Sequence, residues 1–220
     1  MKDNAFINKA FSPEKLLLYA VTDRSETEKM CAAVESALVG GATMIQLREK
    51  NIDDVDYIKK AVLIKEICKK YAVPLIVNDN FEVALKSGAD GVHVGAEDMR
   101  ADEIRKKAPC GFIVGVTAKT VEQALAAQKL GADYLGVGAV FPSPTKPDAI
   151  GITREKLQEI CAGVKIPCVA IGGISLENAD LLRGSGISGI AVVSALFSAG
   201  NVTQTARMLR KKAEEITLHK

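Results

Sequence analysis

The chain contains no tryptophan, and aromatic residues make up only 5% of it. Its core must therefore be filled by Val, Ile, Leu and Ala, side chains that suit strands buried on both faces. The five cysteines, Cys31, Cys68, Cys110, Cys161 and Cys168, are scattered with no CxxC pair. An odd number in apolar surroundings reads as reduced core thiols of a cytosolic protein. With only His93 and His219 as bases, a catalytic cysteine is disfavoured. No stretch approaches the roughly 18 uninterrupted apolar residues of a membrane span, and the Met-Lys-Asp-Asn start lacks an apolar signal run. A cytoplasmic protein without a membrane partner is expected. The net charge of +2 argues against nucleic acid as a partner, so any positive field must be local.

What is present is apolar and regularly punctuated. With 220 residues, 48% of them hydrophobic, the chain can bury one large core. No linker, low-complexity run or charge block divides it. One domain over residues 1–220 is expected, with 1–15 as a polar lead-in. Apolar runs at Leu16–Val21, Thr43–Arg48, Pro74–Asn78, Gly91–Gly95, Phe112–Thr117, Tyr134–Ala139, Pro167–Gly172 and Gly189–Ser194 read as strands. Helical spacing falls between them, near 26–39, 53–71, 80–87, 100–107, 120–130, 153–161 and 175–183, with a last amphipathic helix near 202–216. A weak repeat marks the helix-to-strand turns: Gly41-Ala42-Thr43, Gly88-Ala89-Asp90-Gly91, Gly131-Ala132-Asp133 and Gly186-Ile187-Ser188-Gly189. Glycine there supplies the left-handed helix stop, and small residues turn the chain into the next strand. Eight strand–helix units in this length fit a (β/α)₈ TIM barrel of the α/β class. A doubly wound open sheet is the alternative, weakened by the absence of a GxGxxG after the first strand.

Chemistry-bearing residues collect at strand ends, where ligands bind in parallel sheets. The third and fourth strands end in Asn78-Asp79 and Ala96-Glu97-Asp98. Carboxylates brought close repel unless a cation lies between them, and oxygen ligands favour Mg²⁺. The competing reading is that Asp79 and Asp98 cap the following helices. The second strand runs into Gln46-Leu47-Arg48-Glu49-Lys50; alternation puts Gln46, Arg48 and Lys50 on one face and Leu47 and Glu49 on the other. The cations suit a metal-bridged di- or triphosphate, or else merely neutralise the aspartates. Thr117 offers a hydroxyl to the same mouth, or caps a helix. The proline-rich stretch Gly136–Ala149, with Ser143, Pro144, Thr145 and Lys146, is too long for a plain connection and reads as a mobile active-site loop. Backbone N–H groups near Gly172-Gly173 and Val193-Ser194 sit where many barrels hold phosphate. His93 reads as a hydrogen-bonded interior residue and His219 as a solvated tail residue.

These motifs, in this order from Tyr19 to Ser194, resemble the thiamine-phosphate synthase family: Gln46–Lys50, Val77-Asn78-Asp79, Gly91–Gly95 with Glu97-Asp98, Phe141-Pro142 with Thr145-Lys146, and Val169–Ile174. The resemblance implies a (β/α)₈ barrel that joins a hydroxymethylpyrimidine diphosphate to a hydroxyethylthiazole phosphate with loss of diphosphate. It implies that Gln46, Leu47, Arg48, Glu49, Lys50, Asn78, Thr117 and Lys146 hold the pyrimidine diphosphate, with Arg48, Lys50 and Lys146 acting on the leaving group. Asp79 and Asp98 would bind Mg²⁺. Ser143, Pro144, Thr145, Gly173, Val193 and Ser194 would hold the thiazole phosphate. Three positions depart from the family's habit, which is Gln at Ala96, His at Lys119 and Thr at Ser143. A thiazole tautomerase of the same fold is expected to use a His after the fifth strand, and Lys119 replaces it here. A non-catalytic phosphate-binding barrel is the other alternative.

Overall fold

Each apolar run becomes a short parallel strand: β1 (Leu18–Val21), β2 (Met44–Leu47), β3 (Leu75–Asn78), β4 (Gly91–Val94), β5 (Ile113–Ala118), β6 (Tyr134–Gly138), β7 (Cys168–Ile171) and β8 (Gly189–Val192). The computed structural model describes residues 11–23, 25–95, 98–142 and 151–218. The strands pair in chain order, and β8 returns to β1 through Leu18↔Ile190, Tyr19↔Ala191 and Ala20↔Val192 to close the barrel. Helices α1 (Thr27–Val39), α2 (Asp54–Lys70), α3 (Phe81–Ser87), α4 (Ala101–Lys107), α5 (Val121–Lys129), α6 (Arg154–Gly163), α7 (Ser194–Phe197) and α8 (Val202–Thr217) complete the (β/α)₈ pattern.

The two-residue period of a strand splits the apolar residues into two cores. Leu18, Ala20, Ile45, Leu47, Leu75 and Val77 point outward and pack with helix residues such as Val34, Tyr57 and Leu209. Tyr19, Val21, Met44, Ile76, Ile113, Tyr134, Val169 and Ala191 point inward and fill the barrel. The amino-terminal end is plugged by Leu16, from a 3-10 turn at Pro13–Leu16, and by Phe11, which stacks on Tyr134 at 5.7 Å. Gly189 is required under that plug, since a Cβ there would lie 1.9 Å from the Leu16 carbonyl oxygen.

The weak repeat has a second role that periodicity does not reveal. Its glycines at 41, 88, 131 and 186 all have positive φ, as a helix stop requires. At Thr43, Asp90 and Asp133 the third residue of the copy reaches sideways to a neighbouring strand. Thr43 Oγ1 accepts the Leu18 N–H at 2.9 Å, Asp90 Oδ2 that of Leu75 at 2.7 Å, and Asp133 Oδ2 that of Val114 at 2.8 Å. Asp90 is further paired with Lys65 at 2.6 Å, and Asp133, fully buried, with Arg105. These bonds satisfy the N–H groups of Leu18, Leu75 and Val114, and they pin the register at the bottom of the barrel.

The structure corrects the sequence reading in four places. Leu16 and Leu17 are not strand: Pro13 starts a tight turn in which the Leu17 N–H donates to Glu14 O at 3.2 Å. The segment 175–183 is not an α-helix but leads into a 3-10 turn at Ala179–Leu182. There Asn178 captures the Ser175 N–H at 2.9 Å and donates to Gly173 O at 2.8 Å, holding the chain in a loop. Helix α7 is too short to leave a periodic signal. Lastly, the thiols are not all core residues, for Cys68 and Cys168 are buried while Cys110 is exposed. Among the described residues no helix is long and apolar enough to cross a membrane. His219 lies outside the described residues.

Candidate active site at the carboxyl ends of the strands

Asp79 follows β3 directly and takes φ +64°, the left-handed region that non-glycine residues occupy only when their surroundings hold them there. Its N–H donates to His93 O at 2.8 Å, tying the end of β3 to β4. Neither aspartate caps a helix. Asn80 caps α3 by accepting the Val83 N–H at 3.0 Å, α4 starts from Arg100 without a side-chain cap, and Asp98 Oδ2 instead accepts the Gly95 N–H at 2.6 Å. The two carboxyl groups are neighbours. Burial, the Asp98 charge and a hydrogen bond shared with Asp98 push Asp79 up to about 6, and the Arg48 and Lys50 cations pull in the opposite direction. Among the described residues no ion pair joins either cation to either aspartate. Arg48 and Lys50 act on Asp79 through their field.

The end of β2 divides as its alternation requires. Gln46 is buried inside the barrel, Arg48 is half-buried and Lys50 exposed. Thr22 fixes the exit, its Oγ1 accepting the Arg48 N–H at 3.0 Å and its N–H donating to Gln46 O at 2.9 Å. Leu47 and Glu49 turn their side chains to the helices. The Leu47 side chain is in the outer core, and Glu49 pairs with Lys60 of α2 at 2.7 Å. The Tyr57 hydroxyl, 2.9 Å from Leu47 O and 3.1 Å from Asn78 O, locks the ends of β2 and β3 together.

Beneath the mouth, polar side chains cross the barrel interior in one line. Gln46 Nε2 donates to the Tyr19 hydroxyl at 2.6 Å, Tyr19 meets the Tyr134 hydroxyl at 2.8 Å, Tyr134 meets His93 Nδ1 at 3.0 Å, and His93 Nε2 meets Thr117 Oγ1 at 3.0 Å. Gly115 and Gly136 make room: a Cβ on Gly115 would fall 2.2 Å from the Tyr134 ring, and one on Gly136 2.9 Å from His93. Burial lowers His93 to about 4, so it is neutral at pH 7. Thr117 does not cap α5; Thr120 does, accepting the Gln123 N–H at 3.2 Å. Sequence reasoning missed Tyr19 and Tyr134. The signal was available, since they are the two tyrosines within otherwise aliphatic strands.

On the far side of the mouth, Gly172 and Gly173 have φ of +103° and +63°. A Cβ on Gly173 would fall 2.3 Å from Pro142 O, so the chain leaving β6 lies directly on this turn. Val193 precedes α7, and its carbonyl accepts the Leu196 and Phe197 N–H groups at 3.1 and 3.0 Å. Lys119, after β5, gives its N–H to Gln123 Oε1 at 2.8 Å. Ser143, Pro144, Thr145 and Lys146, with Ala96 and Glu97, lie outside the described residues. A cavity of about 560 Å³ lies beside the chain leaving β6, between Phe141, Ile152, Arg154, Leu181 and Arg183. Among the described residues that line it, Asp180 is paired with Lys212 at 2.7 Å.

The chain as a whole has close counterparts among known proteins. The chain is 48% identical over 194 residues to a thiamine-phosphate synthase of Ruminiclostridium cellulolyticum, covering 87% of this chain and 92% of that protein. It is 46% identical to the thiamine-phosphate synthase of Methanobrevibacter smithii, over 90% of this chain and 95% of that one. A solved thiamine phosphate pyrophosphorylase from Pyrococcus furiosus superposes with a TM-score of 0.85 at 41% identity, covering 93% of this chain and 98% of the other. The family model for thiamine monophosphate synthase matches residues 18–196, from the first residue of β1 into α7 and thus around the whole barrel. The chain belongs to the thiamine monophosphate synthase family, and is a transferase.

Proposed function

We propose that this chain joins a hydroxymethylpyrimidine diphosphate to a hydroxyethylthiazole phosphate, releasing diphosphate. The observation that carries this reading is the convergence of Asp79 and Asp98 with Arg48 and Lys50 at one end of the barrel, where burial and mutual repulsion raise Asp79 to about 6. A site that crowds anionic ligands and keeps cations beside them suits an anion bridged by a metal.

The donor set fits Mg²⁺. Asp79 and Asp98 offer hard oxygens, and among the described residues no third carboxylate, His or Cys joins them in a metal-binding group. Asp79 and Asp98 would hold the ion together with water and substrate phosphate oxygens. When bound, Mg²⁺ would neutralise charge on the departing diphosphate.

The remaining chemistry falls to this chain's own groups. The bond between the pyrimidine methylene carbon and the diphosphate oxygen breaks, and its electron pair leaves with the diphosphate. The positive charge left on carbon is delocalised into the electron-rich aminopyrimidine ring. The thiazole nitrogen lone pair then forms the new C–N bond, and no proton need move. Arg48, Lys50 and Lys146 would hold the leaving group and stabilise its growing charge. Gln46, Asn78 and Thr117 would orient the pyrimidine. Ser143, Pro144, Thr145, Gly173, Val193 and Ser194 would hold the thiazole phosphate so that its nitrogen faces the carbon. Leu47 and Glu49 would contribute through their backbone, since their side chains turn to the helices.

The test is diphosphate release on mixing both substrates with Mg²⁺. Release that needs both substrates supports the reading; none with either or both defeats it.

A further inference from the structure

Between Gln46 and Thr117, both at the barrel mouth, run three buried residues whose polar atoms the chemistry above does not use. Gln46 Nε2 is a donor only, so the Tyr19 oxygen accepts from it. The Tyr19 proton then has one partner in the line, the Tyr134 oxygen at 2.8 Å. Having accepted, Tyr134 donates its own proton to His93 Nδ1 at 3.0 Å. A neutral imidazole carries one proton, so it sits on Nε2 and is donated to Thr117 Oγ1 at 3.0 Å. Thr117 is left with its hydroxyl proton, and Gln46 with its carbonyl oxygen. Reversing any single link would leave two donors facing each other or a buried hydroxyl proton without an acceptor, and among the described residues no buried side-chain polar atom is unpartnered.

We propose that Tyr19, Tyr134 and His93 form a one-way hydrogen-bond relay that fixes Gln46 as an acceptor and Thr117 as a donor toward the pyrimidine diphosphate, making the three of them positioning residues. The two ends are coupled: turning the Gln46 amide over would reverse every link and convert Thr117 from donor to acceptor. Complementarity to a ring bearing both an amino group and acceptor nitrogens is thus held by groups that never touch it. Gly115 and Gly136 belong to the device, because a side chain on either would displace Tyr134 or His93. The proposal rests on the functional reading above for the identity of the ligand, but not for the direction of the relay.

The chain has only two histidines, so ¹⁵N-imidazole NMR of the wild type, assigned with His219→Gln, reads the relay without substrate. His93 is expected as the Nε2–H tautomer with Nδ1 accepting, and Tyr134→Phe should shift the Nδ1 resonance. An Nδ1–H tautomer, or spectra unchanged in Tyr134→Phe, overturns the relay. In kinetics, Tyr134→Phe should raise KM for the pyrimidine diphosphate roughly tenfold and leave that for the thiazole phosphate unchanged. In a Thr117→Val background the same change should add less than about twofold, since its effect passes through Thr117. Equal rises in both KM values, or full multiplication of the two losses, reduce Tyr134 to packing and overturn the proposal. Tyr19→Phe breaks the relay one link earlier and serves if Tyr134→Phe does not fold. A wild type that releases no diphosphate defeats the functional reading, while the imidazole spectra still decide the relay.

Discussion

Asp79 is held in a conformation and a charge state that it would not choose alone. Its φ of +64° is sparsely populated for a side-chain-bearing residue, and burial beside Asp98 raises its carboxyl to about 6. Asp79→Asn keeps a side chain that tolerates this backbone and removes the repulsion. It should therefore melt a few degrees higher in the presence of a chelator while losing turnover by orders of magnitude. The sign with pH follows. A carboxyl whose folded pKa is raised destabilises the fold once ionised, so the gain of Asp79→Asn is full above about pH 6 and shrinks as pH falls toward 4. Melting curves from pH 4 to 8 check this, and a pH-independent difference refutes it. His93 runs the other way. Its pKa is lowered to about 4, so the stability linked to its neutral form is complete above about 6.5 and lost as pH falls. For this fully buried ring the loss approaches about 3 kcal/mol by pH 4, and His93→Asn should flatten it. The aspartates were legible in the sequence as strand-end acids. Their freedom from helix capping was not, because the capping residue of α3, Asn80, stands only one position further on.

At the scale of elements, alternation along β2 was enough to separate Gln46, Arg48 and Lys50 from Leu47 and Glu49, because one register slip would turn a charge into the outer core. The strands were legible because an aliphatic run of four to six residues can be satisfied only by burial on both faces. The tight turn at Pro13–Leu16, the 3-10 turn at Ala179–Leu182 and α7 were not, since four residues hold too little periodicity to oppose the apolar signal around them. The repeat glycines were legible as turns, but the sideways bonds of Thr43, Asp90 and Asp133 needed the neighbouring strand. Two glycines distinguish turn geometry from close approach. Gly88 has φ +69° and a Cβ added there would meet nothing within 4 Å, whereas Gly173 has φ +63° and its added Cβ would meet Pro142 O at 2.3 Å. Gly88→Ala should cost about 1 kcal/mol, the left-handed penalty alone. Gly173→Ala should cost at least twice as much by urea unfolding and should also slow turnover. Equal costs would mean that the chain from β6 yields freely.

Across the whole molecule the charged groups work at two opposite poles. At the amino-terminal end of the strands Arg105 and the fully buried Asp133 form a pair that also takes up the Val114 N–H and the Gly131 and Phe112 carbonyls. Arg105→Ala strands a buried carboxylate and should cost about 3–5 kcal/mol while leaving turnover in the folded fraction intact. Arg48→Ala, at the other end, should cut kcat roughly 10²–10³-fold with the urea midpoint hardly moved. If both variants lose stability and activity in the same proportion, the poles are not separate. The barrel's closure carries a consequence for synthesis. Because β1 completes its pairing only with β8, through Leu18 and Ile190, a chain emerging from the ribosome holds a finished first strand with one edge bare until nearly all its successors have been made. The growing polypeptide must therefore shelter an aggregation-prone edge for most of its translation, and stalled nascent chains should become protease-resistant in a single late step, after Gly189–Val192 has cleared the exit tunnel.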